Sequence, residues 1–182
     1  PGEYAEILLR NLNAGAFTGP LMQVAVHKRS RFKIGARVRL DKMEVVPNLA
    51  IICTRLDLIA EIISQLGVLG TRAVIIAPSF RDKLPEVEAE ALRKAILVAA
   101  REHTVRILGP GCGGLLIPGI GLNASVSPIA LKRGKIALIA QSTAIASAIV
   151  DHANSKGIGF SAVLHLGESA DIDLADVLDW FA

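Results

Sequence analysis

Four short segments carry residues able to contact an anion or a cofactor, and each follows an apolar run suited to a buried β-strand. They are Thr54-Arg55, Pro78-Ser79-Phe80, Gly109-Pro110-Gly111-Cys112-Gly113-Gly114 and Gln141-Ser142-Thr143. In open α/β sheets, ligands bind where strands end at their carboxyl side. The glycine run formally matches G-x-G-x-x-G, but it enters Leu-Leu-Ile-Pro rather than a helix. No Asp or Glu lies between Glu102 and Asp151, so the acid that a dinucleotide fingerprint requires ~20 residues on is missing. Two readings stay open for it: glycines supplying positive φ in a tight turn, or bare backbone that lets a different cofactor approach. Gln141-Ser142-Thr143 opens a helix, where unpaired N–H groups and the positive end of the dipole bind anions, and where the hydroxyls serve equally as caps.

Other reactive side chains are scattered. His27, His103, His152 and His165 show no metal-ligand spacing and have no Ser or Cys beside them to complete a nucleophilic site, so they read as structural. Cys53 and Cys112 form neither a disulfide framework nor a C-x-x-C pair, which points to a reducing, cytoplasmic setting. Cys112 has no basic neighbour in sequence to lower its pKa. Between His27 and Lys42, seven cations against Asp41 give +6, compared with +3 for the whole chain, so the remainder sums to −3. Such a basic run suits nucleic-acid phosphates, the phosphates of a nucleotide-like cofactor, or a solvated loop. The acidic carboxyl end, with Asp151, Glu168, Asp171, Asp173, Asp176 and Asp179 against Lys156, opposes attraction to a nucleic-acid rod.

The elements that must position these segments follow from periodicity. Residues 3–13 have near-helical spacing, 21–26 form a short apolar run, and 49–54 read as a strand buried on both faces. A helix over 56–69, a strand over 73–78, a helix over 85–103 and a strand over 105–108 follow, the alternation of a doubly wound parallel sheet. Residues 109–128 read as an ordered crossing. A second unit then has strands at 135–140 and 160–167 and helices at 143–156 and 173–182. Two strands cannot bury both faces alone, so this unit either starts a longer domain or leans on the first. The boundary is expected near residue 130. A doubly wound domain opens on a strand and a Gly-rich turn, absent here, so the chain reads as a piece of a larger protein.

Composition agrees with this class. Of 182 residues, 52% are hydrophobic and only 4% aromatic, so Ile, Leu, Val and Ala must fill the core. No apolar run reaches the ~18 residues of a membrane span, and the amino end lacks a signal-peptide pattern.

Several motifs in order carry a resemblance: residues 106–118 (RILGPGCGGLLIP), 121–125 (GLNAS), 132–142 (KRGKIALIAQS), 157–161 (GIGFS) and 166–173 (LGESADID), with 9–20 and 47–54 upstream. Together they resemble the NDP-forming acyl-CoA synthetase family, related to the α subunit of succinyl-CoA synthetase. The resemblance implies a Rossmann-like CoA-binding domain over 1–130 lacking its first strand, then the first part of a flavodoxin-like ligase domain over 131–182. It implies CoA or acetyl-CoA as ligand, held along Val26, Lys28 and Arg29, Thr54, Pro78 and Ser79, and Gly109, Pro110, Gly111 and Cys112. Gln141 and Ser142 would stand at a phosphoryl pocket, and no residue of this chain would be catalytic.

Two parent types share the region. One is an ADP-forming acetyl-CoA synthetase, which passes an acyl group between CoA and phosphate through a phosphohistidine. The other is a Pat-type protein lysine acetyltransferase, whose synthetase-like part responds to acyl-CoA beside a GNAT domain. The family usually has Asn at Gly111, Ser at Ala140, Gly at Thr143 and Pro at Arg55. Those departures remove polar contacts and crowd a backbone approach; separately, Ser127-Pro128 through Lys-Arg-Gly-Lys and the small-residue helix after Gln141-Ser142 look closer to the Pat type. The expectation is therefore a non-catalytic, acyl-CoA-binding regulatory region, inactive in isolation. The synthetase part is the alternative. Expected partners are the CoA thioester and the rest of a parent chain or another subunit, without a membrane; nucleic acid is disfavoured and a homo-oligomer stays open.

Overall fold

The computed structural model describes residues 3–24, 37–38, 40, 43–80, 82–127 and 130–181. The basic segment, with Val26, Lys28 and Arg29, lies outside the described residues.

The first unit is built on Leu49–Ile52 (β3), Ala73–Ile76 (β4) and Arg106–Leu108 (β5), in the order β3-β4-β5 and all parallel. Their apolar runs, expected from sequence, face both ways as a covered parallel sheet requires. Ile52, Val74, Ile76 and Ile107 point to one side, where they pack with Ile59–Leu69 (α2) and Glu86–Arg101 (α3). On α2 the buried residues Ile59, Ile62, Ile63 and Leu66 recur at the i, i+3, i+4, i+7 spacing of one helix face. Each such side chain, fully buried, contributes roughly 1.5–3 kcal/mol. The helix stops at Gly70, whose left-handed conformation closes the last turn.

Alternate residues of the same strands, Leu49, Ile51, Ile75 and Leu108, face the opposite side and enter a second core with Leu12, Ala124, Leu166 and Val177. Leu12 comes from Glu3–Ala14 (α1), which packs on Leu122–Ser125 (β7). Buried Asn11 fixes that contact: its side-chain amide donates to the backbone oxygens of Ser125 and Ser127 at 2.8 and 2.9 Å. Upstream of β3, Gln23–Val24 (β1) and Arg37–Val38 (β2) form a short parallel pair.

The crossing between the units is itself strand. Gly114–Ile117 (β6) and β7 form an antiparallel hairpin through a 3-10 turn over Pro118–Ile120. Its strand β6 then pairs antiparallel with Phe160–His165 (β9), which lies parallel to Arg133–Ala140 (β8), giving the order β7-β6-β9-β8. Residues 114–125 thus precede the boundary expected near 130 but complete the second sheet, supplying the strands that β8 and β9 alone lack. Thr143–Ser155 (α4) covers one face through Val150 and Ala153 against Phe160 and Val163. Leu174–Phe181 (α5) packs on β8. The second core, with Leu108, Ile75, Leu166, Ile139 and Val177 together, spans both units.

No described helix is long and apolar enough to cross a membrane.

Candidate functional site

The carboxyl ends of both sheets meet. The loops after β4 and β5 and the start of α4 line one cleft of about 130 Å³ that includes Pro78, Ser79, Gly111, Cys112, Gly113 and Thr143. Tyr4, Asp82 and Lys83 also border it, and none of the three was picked out by sequence reasoning. Four expected contact residues therefore come together: Pro78, Ser79, Gly111 and Cys112. Thr54 is half-buried at the end of β3 and does not line this cleft. Gly109 and Pro110 are buried, and their carbonyls accept from Ala170 N–H at 3.0 Å and Glu168 N–H at 2.8 Å. Those two residues hold the loop in place rather than open it.

Gln141 and Ser142 face a separate groove of about 440 Å³, with Ile139, Ile145, Leu166 and Leu174. Ser142 is the N-cap of α4, its hydroxyl accepting from Ile145 N–H at 3.4 Å, so the capping reading of this residue is realised. It is Thr143, one position on, that reaches the cleft, bringing the amino end of α4 there.

The glycine run leads into β6, not a helix, which excludes the dinucleotide arrangement. Its close approaches are what the glycines serve. Gly167, at φ +65°, sits where a Cβ would lie 2.4 Å from the Pro110 oxygen and 2.7 Å from the Cys112 nitrogen, so the loop after β9 can rest directly on the loop after β5.

That loop carries two carboxylates that sequence reasoning missed as site residues. Glu168, nearly buried, accepts from the Ser79 hydroxyl at 2.9 Å, from Phe80 N–H at 2.8 Å and from the Arg93 guanidinium at 3.1 Å. Asp171 accepts from Ile107 N–H at 2.7 Å and from Arg106 at 2.9 Å. In sequence both lay in the acidic carboxyl end and in the motif 166–173, but nothing there showed their partners, which are 64 to 89 residues away.

His165 is structural in position, central in the second sheet between Gly114 and Ala140, and 1% exposed. Its Nδ1 has no hydrogen-bond partner among the described residues and faces Gly113, and burial holds its pKa below the usual histidine value. Cys112 Sγ lies 3.6 Å from the Leu108 oxygen and 3.7 Å from the Ile76 oxygen. Desolvation pushes both the Cys112 and Cys53 thiols up to about 12, which removes them as thiolate nucleophiles.

Comparison with known proteins agrees with this architecture. Residues 1–118 match the CoA binding domain, and residues 133–182 match the succinyl-CoA ligase like flavodoxin domain. The ADP-forming acetate–CoA ligase of Methanocaldococcus jannaschii is 34% identical over 181 residues, 99% of this chain and 25% of that protein. The ADP-forming acetate–CoA ligase I subunit alpha of Pyrococcus furiosus is 30% identical over 186 residues, 100% of this chain and 40% of the subunit. Among solved structures, the apo dinucleotide forming acetyl-coenzyme A synthetase 1 of Ca. Korarchaeum cryptofilum superposes with a TM-score of 0.83 at 26% identity, over 96% of this chain and 38% of that one. The chain thus spans 25–40% of the length of these relatives.

These relatives overturn the Pat-type expectation: they are acyl-CoA-forming ligases, and the similarity runs over essentially the whole chain. The features that suggested the other parent have structural explanations. Lys132, Arg133 and Lys135 are exposed, and the small residues Ala146 and Ala153 of α4 are buried packing positions. With a CoA binding domain match over 118 of its 182 residues and a ligase flavodoxin match after it, the chain belongs to the NDP-forming acyl-CoA synthetase family.

Proposed function

We propose that this chain is the CoA-binding part of an ADP-forming acetate–CoA ligase, holding CoA or acetyl-CoA while the acyl group passes between CoA and phosphate through a phosphohistidine borne elsewhere in the enzyme. The observation that carries this reading is the convergence of both units' strand ends on one cleft, walled by the Gly111–Gly113 backbone and by the first turn of α4. The residues present fit a CoA thioester. The cleft wall at Gly111 and Gly113 is backbone, beside which a thin pantetheine arm can lie, while the sides where their Cβ atoms would point are taken by Ser79 and Glu168 and by Thr143 and His165. At the reacting end, the Thr143 hydroxyl and the α4 first-turn N–H groups favour negative charge, whether on a phosphoryl group or on the oxygen of an attacked thioester. Cys112, the thiol that borders the cleft, is pushed up to about 12 by burial and so does not compete with CoA for the acyl group. The basic run from Lys28 to Lys42 supplies cations for the phosphates at the nucleotide end, a role that rests on charge alone.

Titration calorimetry of the chain with CoA and with acetyl-CoA tests this. Saturable one-to-one binding, weakened by added salt, is expected; no heat at millimolar ligand overturns it.

A further inference from the structure

We propose that Glu168 is the positioning residue of the CoA site, a latch through which the second unit sets the direction of the Ser79 hydroxyl; the inference rests on the CoA-binding reading above. Glu168 stands outside every segment that sequence marked for ligand contact, yet its carboxylate touches one of them directly. One oxygen, Oε1, accepts both the Ser79 hydroxyl at 2.9 Å and Phe80 N–H at 2.8 Å, while Oε2 accepts from Arg93 of α3 at 3.1 Å. Arg93 is itself held by Glu90 at 2.6 Å, one turn earlier on the same helix. The carboxylate side chain is 8% exposed, so these partners replace water rather than add to it. Gly111 closes the arrangement: a Cβ there would lie 3.1 Å from Ser79 Cβ and 3.2 Å from Glu168 Oε1.

Two consequences follow. The loop from β4 to α3, which forms one wall of the cleft, is tied by a charge-assisted hydrogen bond at Phe80 to a loop of the other unit, so both walls are set by one side chain. Ser79 has a single hydroxyl proton, and it is committed to Glu168. Its oxygen also accepts from Asp82 N–H at 3.3 Å. Toward a ligand Ser79 is therefore an acceptor, suited to an amide or amine N–H of CoA rather than to a phosphate oxygen. Both oxygens of the carboxylate are thus engaged in positioning the loop.

The test is a double-variant cycle on the 182-residue chain, read by calorimetry with CoA and by amide hydrogen exchange. Glu168→Ala is expected to weaken CoA about 10- to 100-fold, from the loss of hydrogen bonds to a charged group. Ser79→Ala weakens it less, and the double variant binds no worse than Glu168→Ala alone, because what Ser79 contributes depends on Glu168, which also holds Phe80. The Phe80 amide exchanges at least about tenfold faster once its acceptor is gone. Where Glu168→Ala fails to fold, Glu168→Gln replaces it. The Gln amide faces the Arg93 guanidinium donor to donor, so adding Arg93→Met is expected to restore part of the affinity. Binding within twofold of the unchanged chain, losses that multiply in the double variant, or an unchanged Phe80 amide each overturn the proposal. An unchanged chain that ignores CoA overturns the function above, and Phe80 exchange then still decides whether Glu168 is the latch.

Discussion

Gly113 lies where the two units touch, and the effect of a single methyl there can be worked out. A Cβ on Gly113 would lie 2.7 Å from Thr143 Oγ1, 2.8 Å from His165 Nδ1 and 2.9 Å from Thr143 Cγ2, all well inside the ~3.5 Å of ordinary contact. His165 is 1% exposed inside β9 and has no room to withdraw. Overpacking of this kind costs about 1–3 kcal/mol. Gly113 has no positive φ, so Ala also stiffens the unfolded chain, a gain of about 0.4–1 kcal/mol, and Gly113→Ala should destabilise by about 1–2 kcal/mol net. Two of the three short contacts belong to Thr143, the position where the family usually has Gly. In a Thr143→Gly background, the same Gly113→Ala change should therefore cost about 1 kcal/mol less, a coupling typical of residues in direct contact. Thermal unfolding of the four chains reads it, with Tm falling about 2–4 °C per kcal/mol for a chain of this size. Equal losses in both backgrounds, or a stabilising Gly113→Ala, would refute the reasoning.

Three further outcomes follow from the same geometry. Asp171→Ala should destabilise by about 1–3 kcal/mol because it orphans Ile107 N–H, whereas Arg106→Ala, removing a half-exposed cation, should cost at most about 1 kcal/mol; denaturant midpoints rank the two. Both thiols, pushed to about 12, carry only about one part in ten thousand thiolate at pH 8, so Cys53 and Cys112 should resist iodoacetamide in the native chain and label rapidly in urea. His165, held neutral by burial, takes up its proton more readily in the unfolded chain. Its contribution is therefore complete above the unfolded value of 6.5 and is lost as pH falls below it; urea midpoints at pH 7.5 and 5.5 should differ, and less so in His165→Gln.

What the sequence disclosed depends on whether a signal is local. The strands and helices of the first unit were legible because each is a contiguous apolar run or a helical stripe: the run at 49–54 contains β3, and the spacing at 56–69 contains α2. The refusal of a dinucleotide fingerprint also held, since it needed only the residues following Gly114. The hairpin of β6 and β7 was not legible. Its segments are four residues each and interrupted by Gly and Pro, and what makes them strands is pairing with each other and, for β6, with β9 some 50 residues later. Likewise Ser79 was marked by its place after a strand, but its partner Glu168 lies 89 residues away and could be found only in three dimensions. The Pat-type expectation failed for a related reason. It leaned on small residues of α4 whose role is to pack closely on the second sheet, and such residues say more about spacing than about chemistry.

The segment between β9 and α5 explains why the two units form one site. Strand β5 pairs with β4 on one side only, and an uncovered strand edge invites wrong pairing. Its other side is met by this segment, since Ile172 N–H donates to the Ile107 oxygen at 3.1 Å and Ala170 N–H to the Gly109 oxygen at 3.0 Å. Asp171 completes the seam by accepting Ile107 N–H through its side chain. Residues 168–172 therefore cap the edge of the first sheet with backbone contacts that do not depend on which ligand binds, while Glu168, at one end of the same segment, reaches Ser79 and Phe80 at the cleft. The element that protects the edge is thus the element that shapes the site. A displacement of the second unit that broke the seam would release Ser79 as well, and so a ligand that grips both the Gly111–Gly113 backbone and Ser79 must stabilise the two units in contact.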